Sequence, residues 1–103
     1  MDNIEKVTKL LMYSGPSAIE LIEKAVESDN QFTIATSDKL TILTIHSVMA
    51  YALKVTDVFT YNEQGHLIKQ MLIMNGKEKI IFDKFKEASD ILGNISKKKQ
   101  LVS

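Results

Sequence analysis

Apolar runs separated by two tight-turn sequences make the stretch from Asp57 to Phe82 the clearest structural signal in the chain. Asn62-Glu63-Gln64-Gly65 suits a type I turn followed by a left-handed glycine, which is the geometry of a G1-bulge hairpin. Asn75-Gly76 is the favoured pair for a two-residue type I′ turn. We therefore predict two successive β-hairpins, which form the spine of an antiparallel sheet.

The region before these hairpins is dense in threonine, isoleucine and valine, which favours strands. Residues 31–36 alternate between apolar and polar, and a turn is predicted at 36–39. Residues 40–48 are apolar on both sides and are therefore expected to form a central strand. Residues 51–61 alternate again, and Asp57 is the one charged residue on their apolar side.

The N-terminal part of the chain shows helical spacing of apolar residues instead. Residues 2–13 and 17–28 are predicted to be two helices joined by Ser14-Gly15-Pro16. Glycine suits the end of the first helix, and proline suits the first turn of the second. So short a connection predicts a helical hairpin or corner.

A third helix is predicted near the C-terminus, with Asp83 as its cap and Gly93-Asn94 as its end. The lysine-rich residues 97–103 are expected to form a basic tail. Residues 1–96 then make a single compact domain, as the length of 103 residues suggests.

One stretch also fits a different structure. In Leu67–Met74 the apolar positions recur at helical spacing, and leucine and methionine are good helix formers. Residues 37–53 allow the same interpretation. The predicted fold is α+β, with an N-terminal helical hairpin, an antiparallel meander of four to five strands and a C-terminal helix packed on the sheet. An all-α bundle is the alternative.

Composition excludes several classes of function. The chain has no cysteine, so it has no disulfide framework, thiolate metal site or cysteine nucleophile. It has no secretory signal pattern and no apolar run of about 20 residues, which is the length of a membrane span. We therefore expect a soluble cytoplasmic protein without a membrane partner.

Charge and motifs argue against nucleic acid as a partner. The formal net charge is zero and all 13 basic residues are lysine, although arginine is the residue suited to bidentate recognition of phosphate and guanine. Phosphate-binding glycine loops and catalytic or metal-binding signatures are absent. The sequence therefore indicates no catalytic residue, no metal site and no cofactor.

Four residues are the candidates for binding a small ligand. Asp57 on an apolar strand side is costly unless it is paired, and a partner such as Lys54 or Tyr61 would satisfy it. His46 and His66 are the two histidines, and a histidine side chain can act as a general base or as a metal ligand. A ligand pocket between sheet and helices would involve Asp57, Tyr61, His46 and His66.

Two charged groups are candidates for contact with a protein partner. Glu20, Glu23 and Glu27 make the N-terminal part acidic, whereas Lys97, Lys98 and Lys99 form a basic run. The expected function is a small non-enzymatic interaction or regulatory domain, which binds a protein partner or itself as a homodimer. The alternatives are a small-ligand-binding domain near Asp57, and an enzyme that uses Asp57 with a histidine.

Overall fold

The fold is described by a computed structural model, which covers the backbone of residues 3–102 and the side chains of residues 3–93. The predicted α+β fold is confirmed, and the all-α alternative is wrong. Within this range the elements are α1 (Asn3–Met12), α2 (Ala18–Glu27), β1 (Gln31–Ser37), β2 (Leu40–Met49), β3 (Leu53–Tyr61), β4 (Leu67–Met74), β5 (Lys77–Asp83) and α3 (Lys84–Val102).

The five strands form one antiparallel meander in the order β1-β2-β3-β4-β5. Asn75-Gly76 joins β4 to β5 with φ angles of 54° and 73°, as the prediction of a type I′ turn requires. Asp38 and Lys39 join β1 to β2 in the same left-handed conformation without any glycine. The β1–β2 and β4–β5 hairpins therefore each have a two-residue turn whose twist matches that of the strands.

The predicted turn between β3 and β4 is also confirmed. Gly65 has a φ of 81°, and its N–H donates to the carbonyl oxygen of Asn62 at 3.0 Å. The Asn62 side-chain oxygen accepts from the N–H groups of Gln64 and His66 at 3.1 and 2.9 Å. This asparagine fixes the turn because it satisfies donors that the sheet leaves unpaired.

A β-bulge explains why β4 looks helical in sequence. Thr60 pairs with Lys69 and Tyr61 with Leu67, so Ile68 is an extra residue in the ladder. The extra residue shifts the alternation at Leu67, whereas Met71 and Leu72 face opposite sides of the sheet, so the apolar positions that resemble helical spacing combine a bulge with apolar residues on both faces. Leu67 thereby faces the same side as Tyr61.

The hydrophobic core lies on one side of the sheet, here called the covered face. Its buried strand residues include Leu43, Ile45, Phe59, Tyr61 and Leu67, and α2 packs on them through Ala18, Leu21, Ile22 and Ala25. Each fully buried leucine, isoleucine or phenylalanine in this core contributes about 1.5–3 kcal/mol. The opposite side, here called the open face, has no buried residue among those described.

α1 packs chiefly against α3, and the contact buries Val7 and Ala88. Lys84, at the start of α3, is also buried, and its ammonium donates to the carbonyl oxygens of Tyr13 and Leu11 at 2.6 and 3.4 Å. These carbonyls lie at the negative end of the α1 dipole, where a cation is favourable. Burial nevertheless lowers the pKa of Lys84.

The structure corrects the predicted end of the last helix. Asp83 caps α3 as expected, accepting from the Lys86 N–H at 3.1 Å. However, α3 continues through Gly93-Asn94 to Val102. An interior glycine costs a helix only about 1 kcal/mol relative to alanine, which neighbouring helical residues offset. Residues 97–102 therefore extend α3.

Candidate interaction surfaces

The two edges of the sheet have different protection. β1 contains neither a charged residue nor a proline, and all of its residues except the half-buried Phe32 are exposed. β5 carries Lys77, Glu78 and Lys79, all exposed, and its ladder with β4 is interrupted by a bulge next to Gln70. Charges and bulges are the usual devices that keep a strand edge from pairing with another chain. β5 has both, and β1 has neither.

The register of β1 shows which of its backbone groups are free. Because Asp38-Lys39 is a two-residue turn, Ser37 and Leu40 exchange backbone hydrogen bonds, and bonded positions then alternate along the strand. The N–H groups of Thr33 and Ala35 consequently point to β2. Those of Phe32, Ile34 and Thr36 point away from the sheet, so β1 presents three donors on its outer edge.

α2 presents an apolar flank beside this edge. It begins near the end of β3, where the Tyr61 hydroxyl donates to the Pro16 carbonyl oxygen at 2.8 Å, and it ends at the start of β1. With Ala25 against the sheet, the right-handed winding of the helix turns Ile19 and Val26 toward the β1 side. These two side chains are 70% and 64% exposed.

The connection between β2 and β3 is a second exposed apolar surface, here called the hairpin tip (residues 48–52). All five residues are exposed and none is polar or charged except for the hydroxyl of Tyr51. Tyr51 is fully exposed, and Tyr51 and Ala52 have φ angles of 62° and 57°. Tyr51 was expected on the apolar side of a strand; instead it lies in the left-handed turn that joins β2 to β3.

His46 lies on the open face, and its Nδ1 is 3.1 Å from the Thr56 hydroxyl. A shallow groove of about 620 Å³ adjoins it, lined also by Asn30 and Lys54. No group of three potential metal-ligating side chains occurs in the described part of the chain. The groove offers hydrogen-bonding groups without a metal-binding cluster.

Asp57 lies on the covered face, where it pairs across strands with Ile45 and Leu72. Burial raises its pKa, and a hydrogen bond from the Gln70 side chain opposes that shift. Gln70 is therefore its partner, in place of the expected Lys54 or Tyr61. Successive strand residues face opposite sides, so Asp57 and His46 are separated by the sheet.

Tyr61 and His66 are not brought together with Asp57 either. The Tyr61 ring is buried and its hydroxyl is bonded to Pro16, while burial and the Glu20 charge raise the pKa of Tyr61 to about 12. His66 lies beside the turn that follows β3. The four candidate ligand-binding residues therefore do not converge on one cavity in the described structure.

The predicted charged surfaces have different outcomes. Glu20, Glu23 and Glu27 are exposed on α2. The side chains of Lys97, Lys98 and Lys99 lie outside the described residues. The contact of either group with a partner stays a prediction.

No protein-family model matches the chain, and neither a curated protein nor a solved structure matches it. Among the described helices, none combines the length and the apolar character that crossing a membrane requires.

Proposed function

We propose that this chain is a non-enzymatic protein-interaction domain and that the hairpin tip is the part it inserts into a partner. The observation that carries the proposal is the run of five exposed apolar residues centred on fully exposed Tyr51. Exposed apolar runs of this length are avoided on surfaces that bind nothing. Tyrosine and methionine are also enriched in the cores of protein interfaces.

The side chains of the turn support the same proposal. Tyr51 and Ala52 are both left-handed, as Asp38 and Lys39 are in the turn between β1 and β2. The turn between β1 and β2 carries charged side chains, whereas the tip has an aromatic ring in this position and leaves it fully exposed. A pocket on another protein can enclose that ring.

The chemistry of the tip defines the partner. The tip carries no charge, and the nearest ionisable side chains on the flanking strands are His46 and Lys54, which line the adjacent groove. A partner that fits has an apolar pocket for the Tyr51 ring and carboxylates at one rim of that pocket. The domain then acts by occupying its partner, without a chemical step.

The test compares the wild type with Tyr51→Asn in capture from native cytosol, followed by binding to the purified candidate partner. Asparagine tolerates the left-handed conformation, so this variant removes the ring without disturbing the turn. Ile80→Asn is the control, because Ile80 is an exposed apolar residue on the distant β5. We expect Tyr51→Asn to weaken binding at least tenfold and Ile80→Asn to change it less than threefold.

Two results would overturn the proposal. One is a partner that binds wild type and Tyr51→Asn with equal affinity. The other is binding of the wild type to phosphatidylcholine vesicles that Tyr51→Asn abolishes, because the tip would then be a membrane contact.

A further inference from the structure

We infer that β1 pairs with β1 of a second copy of this chain, so that two five-stranded sheets join into one ten-stranded sheet across a twofold axis. This inference goes beyond the proposed function, because it concerns the edge strand β1 instead of the hairpin tip, and a second copy of the chain instead of a different protein. It starts from the outward N–H groups of Phe32, Ile34 and Thr36, which form a complete row for another strand.

The length of β1 fixes the register. Ile34 is the middle residue of Gln31–Ser37, so a twofold axis through it places Ile34 opposite Ile34 of the second copy. Phe32 then lies opposite Thr36 of that copy. All these residues present outward N–H and C=O groups, so the register that centres the strand also pairs its free donors with acceptors.

Side-chain chemistry favours this self-pairing. In this register the residue on the axis lies opposite the same residue of the second copy, so a charge at that position would meet its own sign. β1 has no charge, and its cross-strand pairs are Ile34 with itself, Phe32 with Thr36, and Thr33 with Ala35. β5, by contrast, would present the charged side chains of Lys77, Glu78 and Lys79 and a bulged ladder to a second copy.

The flank of α2 adds apolar area to the same interface. In the joined sheet the α2 helices of both copies lie on the covered face, on either side of the axis. Ile19 and Val26 are exposed in one chain and face the β1 side, as does Ile34 on the covered face, which is 52% exposed. Pairing removes these three side chains from water, which strand hydrogen bonds alone would not do.

One residue opposes the association. Glu23 lies on α2 beside Ile19 and Val26, and the twofold axis brings it near the same residue of the second copy. Salt screens this repulsion, so the dimer is expected to strengthen between 20 and 200 mM sodium chloride by a few-fold. Glu23→Gln is expected to tighten it by a similar factor at low salt.

The decisive experiment is analytical ultracentrifugation of the full chain from micromolar to several hundred micromolar concentrations. The wild type is compared with Ile34→Lys and with Ile80→Lys, whose parent isoleucines are 52% and 51% exposed on the two edge strands. Ile34→Lys places two ammonium groups opposite each other at the axis. We expect it to raise the dimer dissociation constant at least 30-fold, and Ile80→Lys to change it less than threefold.

Thr36→Pro is a second variant, which tests the same strand pairing without placing a charge in β1. It removes one outward N–H and leaves every bond to β2 intact, which an edge strand tolerates. We expect it to raise the dissociation constant at least tenfold while circular dichroism stays unchanged.

A wild type that is monomeric over the whole range would overturn the inference, as would equal weakening by Ile34→Lys and Ile80→Lys. The outcome is separable from that of the proposed function. If the chain is monomeric but still binds a partner through Tyr51, only the inferred dimer is wrong. If the chain dimerises but Tyr51→Asn binds the partner as tightly as the wild type, only the proposed role of the hairpin tip is wrong.

Discussion

The two edge strands of this sheet are equally long, seven residues each, yet only β5 carries charges and a bulge that protect it from pairing with another chain. β5 carries alternating charges and a bulge, and the residues around it are fastened to the helices. Tyr13 packs its ring edge against Phe82 at 5.6 Å, and Lys84 binds the end of α1 directly after the strand. β1 has an outer row of backbone donors, and among the described helices α2 is the one that packs chiefly against it.

The difference teaches how a sheet can associate without growing indefinitely. A chain with two open edges would add copies at both and form a fibre, whereas a single open edge closes on itself around a twofold axis. In the dimer inferred above, the charges of β5 would limit association to two copies, and the uncharged residues of β1 would permit it.

The contact between the α1–α2 connection and β4 is the feature whose loss is expected to lower the free energy of unfolding most. Gly15 has a φ of 70°, and a Cβ at this position would lie 2.7 Å from the Leu67 Cβ. Gly15→Ala should lower the free energy of unfolding by about 3 kcal/mol, because strain and overpacking add. Chemical denaturation measures it.

Gly65→Ala is the matched control, since Gly65 has a φ of 81° and open space around it. It should cost only about 1–2 kcal/mol, the conformational term alone. If the two variants lose the same free energy of unfolding, the close approach of Gly15 to Leu67 adds nothing to the cost.

The Tyr61 hydroxyl provides a smaller link on the same side. Tyr61→Phe leaves the Pro16 carbonyl oxygen without its donor and should cost about 1 kcal/mol at neutral pH. The folded pKa of about 12 exceeds the unfolded value of 10.0, so this group stabilises the fold fully below pH 10 and loses that contribution as pH rises toward 12.

The difference in melting temperature between wild type and Tyr61→Phe measures this contribution. Both proteins contain the same lysines, so the effect of lysine titration on stability cancels in the difference. The difference should be constant from pH 7 to 9 and shrink between 10 and 12. A difference that stays constant up to pH 12 would contradict the assignment.

Sequence reasoning was most accurate where one residue type determines the backbone. Asn75-Gly76 and Gly65 predict their turns because few other residues adopt those conformations. The β-branched stretch likewise predicts β1 and β2. Local chemistry therefore predicts an antiparallel meander of four to five strands, and the structure has five.

The remaining features depend on contacts that are distant in sequence. The bulge at Ile68 follows from pairing with β3, and the approach of Gly15 to Leu67 joins residues that are far apart in the chain. Lys84 looks like an ordinary surface lysine until the end of α1 surrounds it. The open edge could have been suspected from the uncharged run Gln31–Ser37, but its position at the edge is a property of the whole sheet.

Removal of the β5 charges has the smallest expected effect on stability. It tests whether those charges keep β5 from pairing with another chain. The triple variant combines Lys77→Thr, Glu78→Thr and Lys79→Thr. Each substitution should change the free energy of unfolding by less than about 0.5 kcal/mol, because all three residues are exposed. The triple variant should associate beyond the dimer at high concentration, which light scattering detects. A triple variant that stops at the dimer would show that charge does not close this edge.

The central claim, that β1 is completed by a second copy, is tested most directly by amide hydrogen exchange measured residue by residue at low and high protein concentration. The N–H groups of Thr33 and Ala35 bond to β2 and should be protected at both concentrations. Those of Phe32, Ile34 and Thr36 should be protected only at the high concentration. If these three exchange rapidly at every concentration while Thr33 and Ala35 remain protected, β1 is an unpaired edge and the claim is wrong.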